Sequence, residues 1–371
     1  MEILIFIIPF IVLLTVVVFI HEYGHYYFAK KFGVGVTDFS IGFGKEIFGW
    51  NDSLGTRWKI CWIPLGGYVK FFGDRNVFSV AEQEELLKKY NKEDQKKLFV
   101  TKPLYQRTLI VAGGPLANFL LAIVIFSGIY MFVGKDFTPA KIEEVSIESP
   151  AEKAGLKKND IITSIDGNKV QSILEVSMFI NTGSSEKIEI KVLRNQNEIT
   201  LFAKPNIIEG KDAFGNSIKK RIIGIKISPV NNEFNKQKLG PTTAIYYSFK
   251  EIWFVIKTTM NFIGSLFQGK GDTSQLGGPI KIAKISGQVI EFGLLAFLST
   301  VAYISISLGL INLFPIPLLD GGHLMFYFFE KILGRPLKQK TQEGFFRIGL
   351  FLLLSLMVFT TFNDLKDWGV F

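Results

Sequence analysis

Four long stretches of the chain carry no charged side chain: residues 3–20, 109–134, 292–319 and 348–363, of 18, 26, 28 and 16 residues. A helix needs about 20 mostly apolar residues to cross the hydrocarbon core of a bilayer. The first three runs meet that length, and tilt and flanking side chains accommodate the fourth. The alternative for the fourth is a buried helix of a soluble domain. The first run does not read as a cleaved signal peptide: it opens on Glu2 rather than on basic residues, and no small-x-small cleavage site follows Ile20. Four membrane helices are therefore expected. Between them the pattern changes. In residues 36–72, Phe39, Ile41 and Phe43 alternate with Ser40, Gly42 and Gly44, and Trp58, Ile60 and Trp62 alternate with Lys59 and Cys61. That is strand periodicity, in a segment so rich in Trp, Phe and Gly that a sheet at or dipping into the membrane is expected. Residues 81–98 read as a charged, solvated surface helix. Residues 139–205 read as a compact soluble module with strands near 187–193 and 198–203. Residues 241–267, carrying Trp253 and Lys257, read as an amphipathic or interfacial helix.

Charge gives these spans a direction. Lys30 and Lys31 follow the first run, Arg107 precedes the second, Lys331, Arg335, Lys338 and Lys340 follow the third, and Arg347 precedes the fourth. If the helices alternate, all of these lie on one side. The opposite ends carry Glu2, Glu291 and Asp364, with Lys135 beside Asp136 as the exception. Positive residues stay cytoplasmic, so both termini are expected outside the cytosol, with 32–106 as a cytoplasmic loop and 135–291 as an outer region. The chain of 371 residues is 48% hydrophobic and 20% charged, too apolar for a disordered protein. Its single cysteine, Cys61, excludes an intramolecular disulfide and reads as a free thiol in a reduced loop. The net charge of +9 fits contact with anionic lipid. No long basic run or zinc finger points to nucleic acid.

The chemistry begins at the end of the first run. His21-Glu22-Tyr23-Gly24-His25 is an HExxH pattern. Four residues of helix turn through about 400°, so the two imidazoles share a face. At that spacing they can hold one zinc, with the intervening Glu as a base. The chain has three histidines and two are here, at a membrane depth where ionisable groups are costly and usually functional. The competing reading is a polar cap on the helix. A catalytic zinc usually takes a third protein ligand. The candidates are His323, Glu46 at a spacing soluble HExxH proteases use, and Asp320. Depth favours Asp320: residues 3–21 span about 27 Å of helix, close to the hydrocarbon thickness. The third run, directed inward, brings Asp320 to the same face. Pro315, Pro317, Gly321 and Gly322 favour a turn there, which suits a broken helix beside a polar cavity.

Taken together, these segments resemble the site-2 protease family, peptidase family M50, in its bacterial RseP-type form. The resemblance rests on HEYGH in the first span, NLFPIPLLDGGH (312–323) in the third, GGPLANF (113–119) in the second, WIPLGGYVKFFG (62–73) and LGGPIKIA (276–283). It also rests on a PDZ-like module whose markers are SPAEKAGL (149–156) and NDIITSIDG (159–167). The resemblance implies a polytopic α-helical membrane protein of four transmembrane helices, with a membrane-associated β element and one PDZ-like α+β domain, where some RseP-type proteins carry two. The expected order is a first span with HExxH over 1–31, a cytoplasmic loop with the β element over 32–106, a second span over 107–134 and the PDZ-like domain over 139–205. A connecting region with the amphipathic helix over 206–291, a third span with the Asp320 motif over 292–328 and a fourth over 345–364 complete it.

The resemblance further implies an intramembrane zinc metalloprotease. His21, His25 and Asp320 would bind Zn2+, and Glu22 would be general base. Asn312 would hold substrate backbone or stabilise the oxyanion, or else ease a helix break. His323 is not carried over as a ligand. The substrates would be transmembrane segments, such as membrane-bound anti-sigma factors or remnant signal peptides after a first cut, in a bacterial inner membrane. The PDZ-like domain, on the outer side, would bind peptide by strand addition or act as a lid. An edge strand in 58–72 would hold the unwound substrate extended. A catalytically inactive membrane scaffold and a zinc carrier are the other readings. A scaffold needs none of the four polar residues, and a carrier has no need of Glu22 or of a peptide-binding module.

Overall fold

The computed structural model describes residues 2–73, 87–183, 185–211, 217–230, 233–269, 272–273 and 276–367. The chain opens with helix α1 (Glu2–Lys31), followed by a hairpin of long strands, β1 (Val36–Asn51) and β2 (Arg57–Phe71), and by helix α2 (Leu104–Phe132). A β-rich segment comes next: β3 (Ala140–Val145), β4 (Ile161–Ile165), α3 (Ile173–Thr182), β5 (Ile188–Arg194), β6 (Asn197–Ala203), β7 (Asn206–Lys211), β8 (Ser217–Ile222) and β9 (Ile225–Pro229). Helices α4 (Pro241–Phe267), α5 (Pro279–Glu291), α6 (Leu294–Asn312), α7 (Asp320–Leu333) and α8 (Gln339–Asp367) complete it. Among the described residues, four helical stretches are long and apolar enough to cross a membrane: Phe6–Lys31, Leu104–Phe132, Leu294–Asn312 and Lys340–Lys366. In hydrocarbon every backbone N–H and C=O must find its partner within the segment, and these continuous apolar runs answer that by forming helices.

The chain divides into two compact units, residues 1–125 with 278–364, and residues 126–277 with 365–371. In the first, β1 and β2 pair antiparallel with several register shifts, placing Phe43 opposite Ile63 and Trp50 opposite Trp58. The half of the hairpin nearest the chain's entry packs on α1: Phe39 is fully buried among Tyr26, Ala29, Val34, Val36 and Ile110, and Trp58 stacks on its ring at 4.2 Å. The remainder leaves Ile47, Phe48, Trp50, Trp62 and Ile63 exposed, an apolar rim of the kind that soluble surfaces avoid. The connection is tied by Asp52, whose carboxylate accepts from the Leu54 and Thr56 backbone (2.9 and 2.8 Å), from Trp58 Nε1 (3.0 Å) and from the Tyr26 hydroxyl of α1 (2.9 Å). Burial pushes this carboxyl up, but the four donors outweigh it and hold it at about 2.

Two expectations are refined in this unit. The stretch 292–328, expected as the third span with a turn favoured around Pro315, Pro317, Gly321 and Gly322, is two helices, since α6 stops at Asn312 and α7 starts at Asp320. Pro315 and Pro317 cannot donate backbone hydrogen bonds, and the chain turns between the helices. Of the surface helix expected over 81–98, residues 81–86 lie outside the described residues. Of the remainder, residues 87–89 and 92–95 are helical, the latter a short turn capped by the Asn91 side chain.

The second unit holds a six-stranded antiparallel sheet in the order β9-β3-β4-β5-β6, with the short strand Asn168–Lys169 paired to β4. Ile142, Ile162, Ile165, Ile188, Ile190 and Val192 are its buried centre, with Val176 and Ile180 of α3. The module is larger than the 139–205 expected, because β9 returns to pair with β3 and a β7–β8 hairpin precedes it. In this unit α4 meets the end of α2 through Ser127 and Ser248 (3.0 Å) and through Tyr130, whose hydroxyl donates to Glu251 (3.3 Å). Its other face leaves Tyr246, Phe249 and Trp253 exposed.

Candidate metal centre

His21 and His25 project from the same face of α1, as their four-residue spacing dictates. Helix α2 stands behind both. The Ile110 carbonyl is 2.9 Å from His25 Nδ1. A carbonyl only accepts, so Nδ1 carries the hydrogen and Nε2 keeps a lone pair. That lone pair faces His21 Nε2 at 3.2 Å. The amide of Asn118, one helix segment further along α2, lies 3.3 Å from His21 Nδ1. The approach of α2 depends on glycine: a Cβ on Gly24 or Gly113 would overlap the other's backbone, and a Cβ on Gly114 would run into His25 Nε2 and His21 Cε1.

Asp320 is the first residue of α7 and reaches the same point from the other end of the sequence. The turn before it folds back tightly enough for Cβ atoms on Gly321 and Gly322 to overlap the carbonyls of Leu313, Phe314 and Ile316. Leu318, two residues before Asp320, has φ of +86°, a conformation a branched side chain adopts only when its surroundings impose it. The result places Asp320 Oδ2 3.2 Å from His21 Nε2, and Asp320 Oδ1 3.5 Å from His25 Nε2. Among the described residues this is the one group of at least three His, Cys, Asp or Glu side chains close enough to share a metal ion.

The donor set fits zinc. Around a tetrahedral zinc with bonds of about 2.0–2.1 Å, ligand atoms lie about 3.3 Å apart. The two imidazole Nε2 atoms are 3.2 Å apart, one Asp320 oxygen is 3.2 Å from His21 and the other is 3.5 Å from His25, and one ligand atom from each residue lies within 4.8 Å of the other two. Asp320 Oδ2 is buried with no hydrogen bond, and His25 Nε2 offers only a lone pair. Electron-rich atoms gathered so closely repel one another unless a cation sits between them.

Glu22 is beside this group and half-buried. The backbone N–H of Val69 on β2 faces its carboxylate, and Gly67 lies against its Cγ. The other candidates stand elsewhere. Glu46 sits in β1 and pairs with Arg57 at 2.5 Å. The His323 ring packs on Phe326 and Phe346. Asn312 closes α6, half-buried, and no described hydrogen bond joins it to the histidines or to Asp320. Cys61 is buried and contacts the Ser40 hydroxyl at 3.3 Å. The roles of Ile110, Gly114, Asn118 and Val69 around the centre are not reachable from spacing, although Gly114 and Asn118 lie within the GGPLANF segment.

The sequence matches the family model of peptidase family M50 over residues 9–356, nearly the whole chain. The protein belongs to peptidase family M50. It is 41% identical over 362 residues to a protein of Mesorhizobium japonicum named as a zinc metalloprotease, covering 96% of this chain and 98% of that one. A Rickettsia conorii protein, also named as a zinc metalloprotease, is 38% identical over 364 residues, covering 97% and 98% of the two chains. Metalloprotease MmpA of Caulobacter vibrioides is 34% identical over 389 residues, covering 99% and 97%. This M50 chain is thus a zinc-dependent metalloprotease, and its apolar helices make it a membrane protein.

Proposed function

We propose that this M50 protease hydrolyses peptide bonds within transmembrane segments, with His21, His25 and Asp320 as zinc ligands and Glu22 as general base. The observation that carries this reading is the convergence of three bare ligand atoms, from two segments far apart in sequence, beside a carboxylate on a membrane-length helix. Bound there, zinc supplies Lewis-acid polarisation of the scissile carbonyl and acidifies water. Glu22 takes the proton from the attacking water and passes it to the leaving amine. The Val69 N–H fixes the carboxylate in place while it does so. Asn312, at the end of α6, is the candidate for holding the substrate backbone.

The substrate must arrive unwound, because a helix shields its amides in internal hydrogen bonds. The β1–β2 hairpin, with its apolar rim and with β2 lying against Glu22, suits an extended partner strand. The six-stranded module is read as a single PDZ-like domain. Its edge strand β9, flanked by α3, suits strand addition by a peptide, which would select or gate substrates. The protein is placed in a bacterial inner membrane, in contact with the bilayer and with transmembrane protein substrates of regulated intramembrane proteolysis, such as anti-sigma factors or remnant signal peptides. The metal centre then lies near the cytoplasmic face and the β module outside.

The test is a purified, zinc-loaded chain in proteoliposomes with a fluorescent transmembrane substrate. Glu22→Gln is expected to keep its zinc and to cleave about 10²–10⁴ times more slowly. A Glu22→Gln protein as fast as the wild type would overturn the mechanism.

A further inference from the structure

Asn118 is a polar side chain with no exposed surface, in the middle of a membrane-length helix. Its one described side-chain contact is His21 Nδ1. As placed, the amide nitrogen faces the ring, and the amide oxygen is buried with no hydrogen-bond partner. The oxygen and nitrogen of an amide exchange places by a half-turn of the amide plane, which the shape of the group alone does not distinguish. The chemistry of the ring does distinguish them. An amide N–H directed at Nδ1 requires a lone pair there, which puts the ring hydrogen on Nε2, aimed at His25 Nε2 and Asp320. An amide oxygen directed at Nδ1 accepts the ring hydrogen there, leaves the Nε2 lone pair facing the other two ligand atoms and gives the orphaned oxygen a donor.

We propose that Asn118 is a positioning residue of the metal centre, its side-chain oxygen accepting the hydrogen of His21 Nδ1 and so turning the Nε2 lone pair toward the zinc. The inference rests on the reading of His21, His25 and Asp320 as zinc ligands. It makes α2 the outer support of both histidines, with the Ile110 carbonyl serving His25 and Asn118 serving His21. The backbone that presents Asn118 is itself held, since the Ser305 hydroxyl of α6 donates to the Asn118 carbonyl at 2.9 Å. Partners of this kind fix the tautomer and ring angle of a ligating histidine. A polar residue that only glues helices together would leave ligand geometry untouched.

The experiment uses the full chain in detergent micelles. It measures zinc affinity by chelator competition and the visible absorption of the cobalt-loaded protein for wild type, Asn118→Ala, Asn118→Leu, Asn118→Asp and His21→Ala. Asn118→Ala and Asn118→Leu are expected to bind zinc about 10–100 times more weakly, with altered cobalt bands. Asn118→Asp keeps an acceptor oxygen at the same reach and is expected within a few-fold of wild type. If Asn118→Leu does not fold, Asn118→Ala, which adds no bulk, carries the comparison. Wild-type affinity and cobalt bands in Asn118→Ala, or equal losses in Asn118→Asp and Asn118→Ala, would overturn the positioning role while His21→Ala still loses the metal. If His21→Ala binds zinc as tightly as wild type, it is the ligand assignment that fails.

Discussion

A single methyl group separates this metal centre from a blocked one. The hydrogen of Gly114 faces His25 Nε2 and His21 Cε1 with no room for a carbon in its place. Gly114→Ala is therefore expected to push one imidazole out of line and to weaken zinc binding at least tenfold, the scale of a lost supporting contact. Zinc content after dialysis against a weak chelator checks this, and a retained full equivalent would contradict it. His21, Glu22 and His25 were legible from the sequence because helical spacing alone puts the imidazoles together. Asp320 was legible from depth, since two apolar runs end at one face. Asn118 and the Ile110 carbonyl were not, because nothing in the register of α2 tells which residue will face an imidazole on another helix. Asn312 matches a family motif, yet no described contact ties it to the centre, so its part rests on the substrate it would meet.

Among the elements, the hairpin and the turn before α7 carry the most consequence. The alternation in 36–72 marked the outer ends of the hairpin but not where β1 ends at Asn51, because period two shows strand character and not the turn between strands. It did not give Asp52, which fastens the hairpin to Tyr26. With its carboxyl held at about 2 in the fold and near 3.9 in an unfolded chain, Asp52 contributes stability that is fully present above about pH 4. That contribution is lost as the pH falls through about 2. Asp52→Asn is expected to flatten the pH dependence of stability in that window, as followed by intrinsic Trp fluorescence during acid titration. A second fastening joins α8 to α5: the Asp364 carboxylate accepts from the backbone of Gly278 (2.9 Å) and Lys281 (3.0 Å), capping α5 from outside the helix. Asp364→Ala is expected to cost about 1–3 kcal/mol, read as a lower thermal midpoint in detergent. Hydropathy gave four spans and ran α6 into α7 as one uncharged stretch, and the turn between them was legible only from Pro315, Pro317, Gly321 and Gly322.

For the molecule as a whole, the sequence located the β-rich module but ended it early. The returning strand β9 lies beyond a hairpin, and its pairing with β3 is a long-range contact that local pattern does not encode. The proposed orientation makes a direct prediction. In a Cys61→Ser background, Leu54→Cys in the hairpin turn is expected to react with an impermeant maleimide only from the cytoplasmic side, and Asn195→Cys in the β5–β6 turn only from the outer side. Labelling of both from one side would invert or break that topology. The split of the proposed ligand set between α1 and α7 also bears on how the protein is made. His21 and His25 leave the ribosome early, whereas Asp320 emerges only after both α2 and the β module have been synthesised. Under the proposed ligand assignment, a nascent chain halted before Asp320 would carry an incomplete ligand set, and a half-built protease would be inert toward the membrane proteins beside it. On that assignment synthesis past Asp320 would act as a safety catch, and a ribosome-arrested chain ending at Leu319 is expected to retain far less zinc than one ending past Leu333.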